Sequence, residues 1–213
     1  LLSRGLGDVY KRQEYGLLKN GKCFEYEGGR LVRECEYKNG VMMRVLREWK
    51  GECMIEYDDN GMRVYEGGFE GDMMKGFVRE GEGKEYGIDG KSALYVGGWK
   101  NGKREGYGSE FKDCFPVYIG EWKNGLRDGI GKEMMNGICI YDGEWKYNEY
   151  DGEGRVRVNN ANVYADCVYQ GGVKTEQSAL YQNGVLVFKG SFDREWRPTK
   201  GIFYIPIADM VLS

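Results

Sequence analysis

A 23-residue period between residues 95 and 160 constrains this chain more than any other feature. Trp99, Trp122 and Trp145 are spaced 23 residues apart, and each ends a Tyr-x-Gly-x-Trp segment. A Gly-x-Gly segment begins seven residues after each of these tryptophans. A fixed period of this size is typical of repeat proteins, in which each unit is one small element that needs its neighbours for stability.

Asn-Gly pairs place the turns of this repeat. Asn-Gly favours the type I′ turn of a two-residue hairpin, because that turn needs a positive φ at both central residues. The pairs fall at two positions of the period, Asn20, Asn39, Asn101 and Asn124 after the large apolar residue, and Asn60, Asn136 and Asn183 before the leading Tyr or Phe. Two turns per repeat predict two strands per repeat. We therefore predict an all-β fold, a single elongated and twisted antiparallel sheet of successive β-hairpins.

Glycine and aromatic residues suggest how one sheet could bury apolar area. Side chains alternate along a strand, so Tyr118, Gly120 and Trp122 should share one face. The following strand carries Gly129 and Gly131, which leave the backbone bare on that face. We expect the aromatic rings to lie across these two glycines, giving a single layer its interior.

The regularity of the period divides the chain into four segments. Phe69 and Trp99 are 30 residues apart, seven more than the period, and we predict that the extra residues form a loop around Glu80 to Gly90. The predicted segments are a non-native or disordered leader at 1–13, degenerate N-terminal repeats at 14–64, well-formed repeats at 65–163, and degenerate C-terminal repeats with a cap at 164–213.

The composition of the chain excludes several kinds of catalytic and metal-binding site. The chain has no histidine, which excludes Ser-His-Asp and Cys-His nucleophiles and histidine-ligated zinc within these 213 residues. Its six cysteines include no Cys-x-x-Cys pair, a distribution that favours reduced thiols in the cytoplasm. A net charge of −3 argues against nucleic acid as a partner. We predict no catalytic, cofactor-binding or metal-binding residues, and an enzyme is the least favoured alternative.

The pattern Tyr-x-Gly-x-Trp-x-x-Gly-x-x-x-Gly-x-Gly resembles the MORN repeat (membrane occupation and recognition nexus). The resemblance is close from Tyr65 to Asn160 and loose from Tyr15 to Tyr204. It implies an array of hairpins that acts as a scaffold or interaction module, often at membranes or the cytoskeleton. Some members of the family have been linked to acidic phospholipids. The expected location is the cytoplasm, with membrane or cytoskeletal association as a further option.

Two sets of residues are candidate contact sites. The first is an aromatic row, which is either the core of the sheet, the interpretation we favour, or a surface for a helix, a strand or a second copy of the chain. The row comprises Tyr95, Trp99, Tyr118, Trp122, Tyr141 and Trp145.

The second set is a basic edge, which could bind acidic phospholipid or phosphoinositide and make the protein a membrane adaptor. It comprises Lys100, Lys103, Arg104, Lys123 and Arg127. Acidic neighbours reduce the net charge of this edge, so a solvated edge that prevents aggregation is the favoured interpretation. The leading functional prediction is a non-catalytic protein-interaction scaffold.

Overall fold

A computed structural model describes residues 20–159, 162–193 and 195–204, without the side chains of residues 176 and 177. The leader predicted at 1–13 lies outside the described residues. The chain forms two compact units, Leu1–Lys103 and Arg104–Ser213. The four segments predicted from the period stay a prediction.

The first unit is an antiparallel meander in which hydrogen-bonded neighbours follow chain order. Its strands are β1 (Gly21–Glu27), β2 (Arg30–Lys38), β3 (Val41–Lys50), β4 (Cys53–Tyr57), β5 (Arg63–Asp72), β6 (Gly76–Tyr86) and β7 (Ala93–Lys100).

The second unit has the same topology, again with every described pair antiparallel. Its strands are β8 (Lys103–Lys112), β9 (Phe115–Lys123), β10 (Leu126–Met135), β11 (Ile138–Lys146), β12 (Glu149–Asn159), β13 (Val163–Gln170), β14 (Val173–Gln182), β15 (Val185–Phe192) and β16 (Pro198–Phe203). The described residues contain strands and turns but no helix. The predicted all-β class of successive antiparallel hairpins is confirmed.

The hairpin turns have the predicted geometry at most Asn-Gly pairs. Asn124 and Gly125 have φ angles of 53° and 86°, and Asn136 and Gly137 have φ angles of 52° and 77°. Asp113 and Cys114, which the sequence did not mark as a turn, adopt the same left-handed pair with φ angles of 51° and 67°. The repeat therefore imposes this turn even where the favoured residues are absent.

Asn60 is an exception to the turn prediction. It lies in a longer turn organised by Asp58, whose Oδ1 accepts hydrogen bonds from the backbone N–H groups of Asn60 at 2.9 Å and Met62 at 2.8 Å. An aspartate that binds backbone N–H groups two residues on provides an alternative way to reverse the chain.

The loop predicted at 80–90 is wrong over most of its length. Residues 80–86 lie in β6, and only 87–92 connect that strand to β7. Gly83 pairs with Gly67 on one side and Gly97 on the other, so this glycine-rich segment is the glycine strand of its repeat. The additional residues lengthen the β5–β6 hairpin and the 87–92 connection.

Candidate interaction surfaces

A row of glycines crosses the second unit at right angles to its strands. The register brings each of them opposite the next, in the order Gly108, Gly120, Gly131, Gly143 and Gly154. We call these residues the glycine row. Because glycine has no side chain, the row is a trough of bare backbone on one face of the sheet.

Tyrosines fill this trough. A Cβ built on Gly131 would lie 2.3 Å from the hydroxyl of Tyr118 and 2.5 Å from its ring, and a Cβ on Gly120 would lie 2.6 Å from the same hydroxyl. The ring runs along its own strand, and its hydroxyl donates a hydrogen bond of 2.9 Å to the carbonyl of Glu121. Burial raises the pKa of Tyr118 and keeps this donor protonated. The prediction that a ring lies across Gly131 is therefore confirmed, with tyrosine supplying the ring.

Tryptophans pack against the tyrosines from the side. The ring of Trp145 meets Tyr118 at 5.1 Å and Tyr141 at 5.5 Å, with interplanar angles of 80° and 86°. Its Nε1–H donates to the carbonyl of Gly131 at 3.0 Å. Edge-to-face pairs of this kind are favourable because the positive edge of one ring meets the negative face of the other. One tryptophan thereby joins the tyrosines of two consecutive repeats.

The expectation that a ring also covers Gly129 is wrong. Gly129 has a φ of +109°, and a Cβ there would lie 1.9 Å from the carboxylate of Glu121. Oε2 of Glu121 accepts a hydrogen bond from the backbone N–H of Ile130 at 3.1 Å. The left-handed backbone turns this glycine away from the aromatic face, which explains why a carboxylate covers it and also why glycine is needed.

The predicted aromatic row lies in the interior of the sheet. Its six residues range from 0% exposed at Tyr95 and Tyr118 to 5% exposed at Trp99. They therefore form the core, and they offer a partner almost no accessible area. Contact between these rings and a partner stays a prediction.

Arginines, which the sequence placed at the edge, cover this core. Arg127 stacks over the rings of Tyr118 at 4.7 Å and Trp145 at 5.2 Å, and Arg104 stacks over Trp122 at 5.0 Å. Both guanidinium groups bind Glu110, at distances of 3.0 Å for Arg104 and 2.6 Å for Arg127. The two arginines thus lie on the aromatic face and not beside the edge lysines.

Glu110 is held in its charged form between these arginines. Burial acts to raise the pKa of Glu110, but the hydrogen bonds and charges of Arg127 and Arg104 outweigh it and lower that pKa. Sequence reasoning missed the pairing. The available signal was positional, because Arg104 and Arg127 recur at the repeat spacing two residues before a glycine.

The remaining basic residues of the predicted edge are three lysines. Lys100, Lys103 and Lys123 are all exposed, as is Lys146 at the next equivalent position. These lysine side chains are accessible to solvent, whereas the two arginines predicted with them lie on the aromatic face.

Acidic residues on the same edge close the turns. Oε2 of Glu105 accepts a hydrogen bond from the backbone N–H of Asn124 at 2.8 Å, and Oδ2 of Asp151 accepts one from Gly171 at 3.0 Å. Each carboxylate comes directly before a Gly-x-Gly segment and binds the turn of the next hairpin. We call these contacts the turn caps. They give these carboxylates a structural role.

The opposite face of the sheet carries exposed apolar side chains. Tyr107 is 65% exposed and Ile130 is 54% exposed, and Ile119 between them in chain order is half-buried. By strand alternation all three lie on the side away from the glycine row. We call them the back-face patch. An ion pair of 3.0 Å between Lys132 and Asp142 borders it.

The described residues contain no group of three or more His, Cys, Asp or Glu side chains that could hold a metal ion. Within the same part of the chain, the structure has no helix with the length and hydropathy required to span a bilayer.

Comparison with known proteins matches part of the chain to a family model. The family model of the MORN repeat matches residues 95–113, 118–136 and 141–157. A search of curated proteins gives no match. Two of the matched stretches begin at Tyr118 and Tyr141, which the structure places over the glycine row. The family model thus identifies three consecutive MORN repeats within residues 95–157 of this chain.

Proposed function

We propose that this chain is a non-catalytic protein-interaction scaffold and that it binds a protein partner through the back-face patch. The observation that carries the proposal is the exposure of Tyr107 and Ile130 on a sheet whose core lies on the other face. These side chains contribute little to packing. Exposed apolar residues with tyrosine among them are typical of protein interfaces.

The sheet supports this role because hydrogen bonds within the chain hold successive hairpins together. Backbone hydrogen bonds join successive hairpins at their turns, from Gly125 N–H to the carbonyl of Arg104 at 2.8 Å and from Asn148 N–H to the carbonyl of Arg127 at 3.0 Å. A surface that is already ordered loses little entropy on binding. We place this activity in the cytoplasm, at a membrane or cytoskeletal structure where the partner resides.

The test is affinity capture from the native cell, repeated with purified partner. The variant Tyr107→Ser with Ile130→Ser removes the exposed apolar area, and we expect at least about a tenfold loss of affinity, since buried apolar anchors dominate interfaces. The matched control is Phe115→Ser, which removes a side chain that is 62% exposed at a turn of the same unit. Equal capture by the double variant and the wild type would exclude the back-face patch.

The exposed lysines favour one alternative, an adaptor for acidic lipid. Lys100, Lys103 and Lys123 are accessible, whereas Arg104 and Arg127 stack on the aromatic rings and share the single carboxylate of Glu110. Sedimentation with vesicles that contain or lack anionic lipid, across a series of salt concentrations, separates the two functions. Charge-dependent binding that weakens with salt supports the adaptor, and binding that ignores both eliminates it.

A further inference from the structure

Two cysteines face each other across the first hairpin. In the register of β1 and β2, Cys23 is the direct partner of Cys35. Neither sulfur is part of a disulfide in this structure. We propose that Cys23 and Cys35 form a reversible disulfide that staples β1 to β2 when the chain meets a small-molecule disulfide oxidant. This inference is independent of the proposed function.

The backbone geometry suits such a bond. Directly opposed residues of an antiparallel pair have Cα atoms about 4.5 Å or about 5.5 Å apart, depending on the hydrogen-bonding position. A disulfide requires Cα atoms about 4.4–6.8 Å apart. Either position therefore satisfies the requirement, and opposed side chains of one pair also point to the same face. The hairpin closes the bridge with little movement of its backbone.

The other cysteines lack this arrangement. Cys53 pairs with Lys50, Cys139 pairs with Met134, and Cys167 lies between Gly154 and Ser178. Cys114 lies in a turn. Among the residues that the structure describes, Cys23 and Cys35 are the one pair of cysteines in direct register.

The exposure of the two cysteines determines which of them reacts first. Cys23 is half-buried, whereas Cys35 is 0% exposed. The Cys23 thiolate attacks one sulfur of a disulfide such as oxidised glutathione, forms a mixed disulfide and releases one glutathione thiolate. The Cys35 thiolate then attacks the Cys23 sulfur and expels the second glutathione thiolate. Two protein thiols become one disulfide, one glutathione disulfide becomes two thiols, and the two protons pass to the departing thiolates.

The consequence is a covalent link at the start of the array. The bridge encloses the residues from Phe24 to Glu34, which include the β1–β2 turn at Gly28 and Gly29. Closing a loop of this size removes conformations from the opened hairpin, so the oxidised hairpin opens less often. A cytoplasm rich in reduced glutathione keeps the thiols apart, which agrees with the reduced thiols expected from the sequence.

The experiment equilibrates the full chain in mixtures of reduced and oxidised glutathione, blocks free thiols and maps the digest by mass spectrometry. We expect a cross-linked peptide that joins Cys23 to Cys35, reversed by a reducing agent. We also expect at least about tenfold slower hydrogen exchange at β1 amides in the oxidised form, from the entropy of closing the loop. Glutathione retained on Cys23 without the internal link, or a link to any other cysteine, overturns the proposal.

Two variants serve as matched controls. Cys35→Ser should leave Cys23 carrying glutathione with no internal link, because the resolving thiol is absent. The double variant Cys53→Ser with Cys114→Ser removes two exposed cysteines and should leave the link unchanged. Loss of the link in the double variant would show that the bridge forms by exchange through other cysteines, contrary to the proposal.

Discussion

The repeat that begins at Tyr118 and the later repeat that begins at Ala165 have different residues at the same strand positions. In the first, one tyrosine ring covers Gly120 and Gly131. The register that links these strands shows that the corresponding positions of the later unit hold Ala165, Cys167 and Ser178. All three are buried, at 0%, 3% and 4% exposed. Ala165 provides no ring, and the two positions that a ring would cover, Cys167 and Ser178, have side chains.

This difference shows why the glycines are there. Neither Gly120 nor Gly131 has a positive φ, so their own dihedral angles would accept another residue. At Gly131 the ring of Tyr118 occupies the space where a Cβ would lie, and at Gly120 a Cβ would meet both the hydroxyl of Tyr118 at 2.6 Å and the Cα of Gly131 at 2.4 Å. Phe188 provides a third case, since a ring is present again and the residue below it, Gly201, would place a Cβ 2.5 Å from that ring. Ring and glycine are one structural unit.

The largest expected effect tests whether the buried aromatic rings stabilise the repeat that begins at Tyr118. Trp122→Ala should cost on the order of 2–4 kcal/mol, because the ring is 4% exposed and its loss leaves a cavity. Urea unfolding followed by far-ultraviolet circular dichroism measures the cost. Tyr107→Ala, at an exposed position, is the control and should stay within about 0.5 kcal/mol. A cost for Trp122→Ala in that same range would contradict the packing described above.

An exchange of residues between the two regions tests the steric argument directly. Gly131→Ser should cost about 2–3 kcal/mol, because the new side chain overlaps the ring of Tyr118. The reciprocal change Ser178→Gly should cost about 1 kcal/mol or less, since it removes a small side chain from a strand. Denaturant unfolding of both variants gives the comparison. Similar costs at the two positions would contradict the steric argument.

A double-mutant cycle tests the same steric argument. In a Tyr118→Ala background the ring is absent, so Gly131→Ser should cost less than it does alone, with a coupling of about 0.5–3 kcal/mol. The double-mutant cycle reports this coupling without reference to the absolute stability of either variant. Costs that simply add would mean that glycine is needed for a reason other than the ring.

A smaller effect separates the ring from its hydroxyl. Tyr118→Phe removes the hydrogen bond to the carbonyl of Glu121 and should cost about 1 kcal/mol, because it leaves that acceptor with one partner fewer. Phe188 shows that a ring without a hydroxyl can occupy this position. Thermal and urea unfolding should agree on the value. No change in stability would indicate that water replaces the hydroxyl.

The smallest expected effect concerns pH. The pKa of Glu110 is lowered from 4.5 in the folded chain, so its pairing stabilises the fold above pH 4.5 and the contribution disappears as the pH falls through the folded pKa. The contribution should be about 1 kcal/mol or less, because the groups are partly exposed. Glu110→Gln should flatten the acid side of the stability profile in proportion. An unchanged profile would show that Glu110 contributes nothing to acid sensitivity.

Local signals in the sequence predicted most of the strands and turns. The period and the Asn-Gly pairs act within a few residues of the chain, so they predicted the hairpins and their order. The glycine-rich stretch from Glu80 to Gly90 misled, because Gly-x-Gly is equally typical of loops and of this sheet. The pairing of Gly83 with Gly67 and Gly97 distinguishes the two cases.

The site was less accessible to sequence reasoning. Side-chain direction decides that Tyr118 covers the glycines while Trp145 packs beside it, and spacing does not report direction. The charges of Arg104 and Arg127 predicted a solvated edge, whereas the aromatic rings beneath both arginines, and Glu110 in the case of Arg127, come from other strands. Contacts between strands depend on register, and the register was known only once the strands were placed.

The turn caps make the array modular. Glu105 binds the N–H of Asn124, and a later hairpin carries the same kind of contact from Asp151 to Gly171. At both of these joints a hairpin supplies the acceptor that closes the turn of its successor. Duplication or deletion of a 23-residue segment at such a joint preserves this contact. The length of the platform is accordingly free to vary in evolution while the joint between hairpins stays the same.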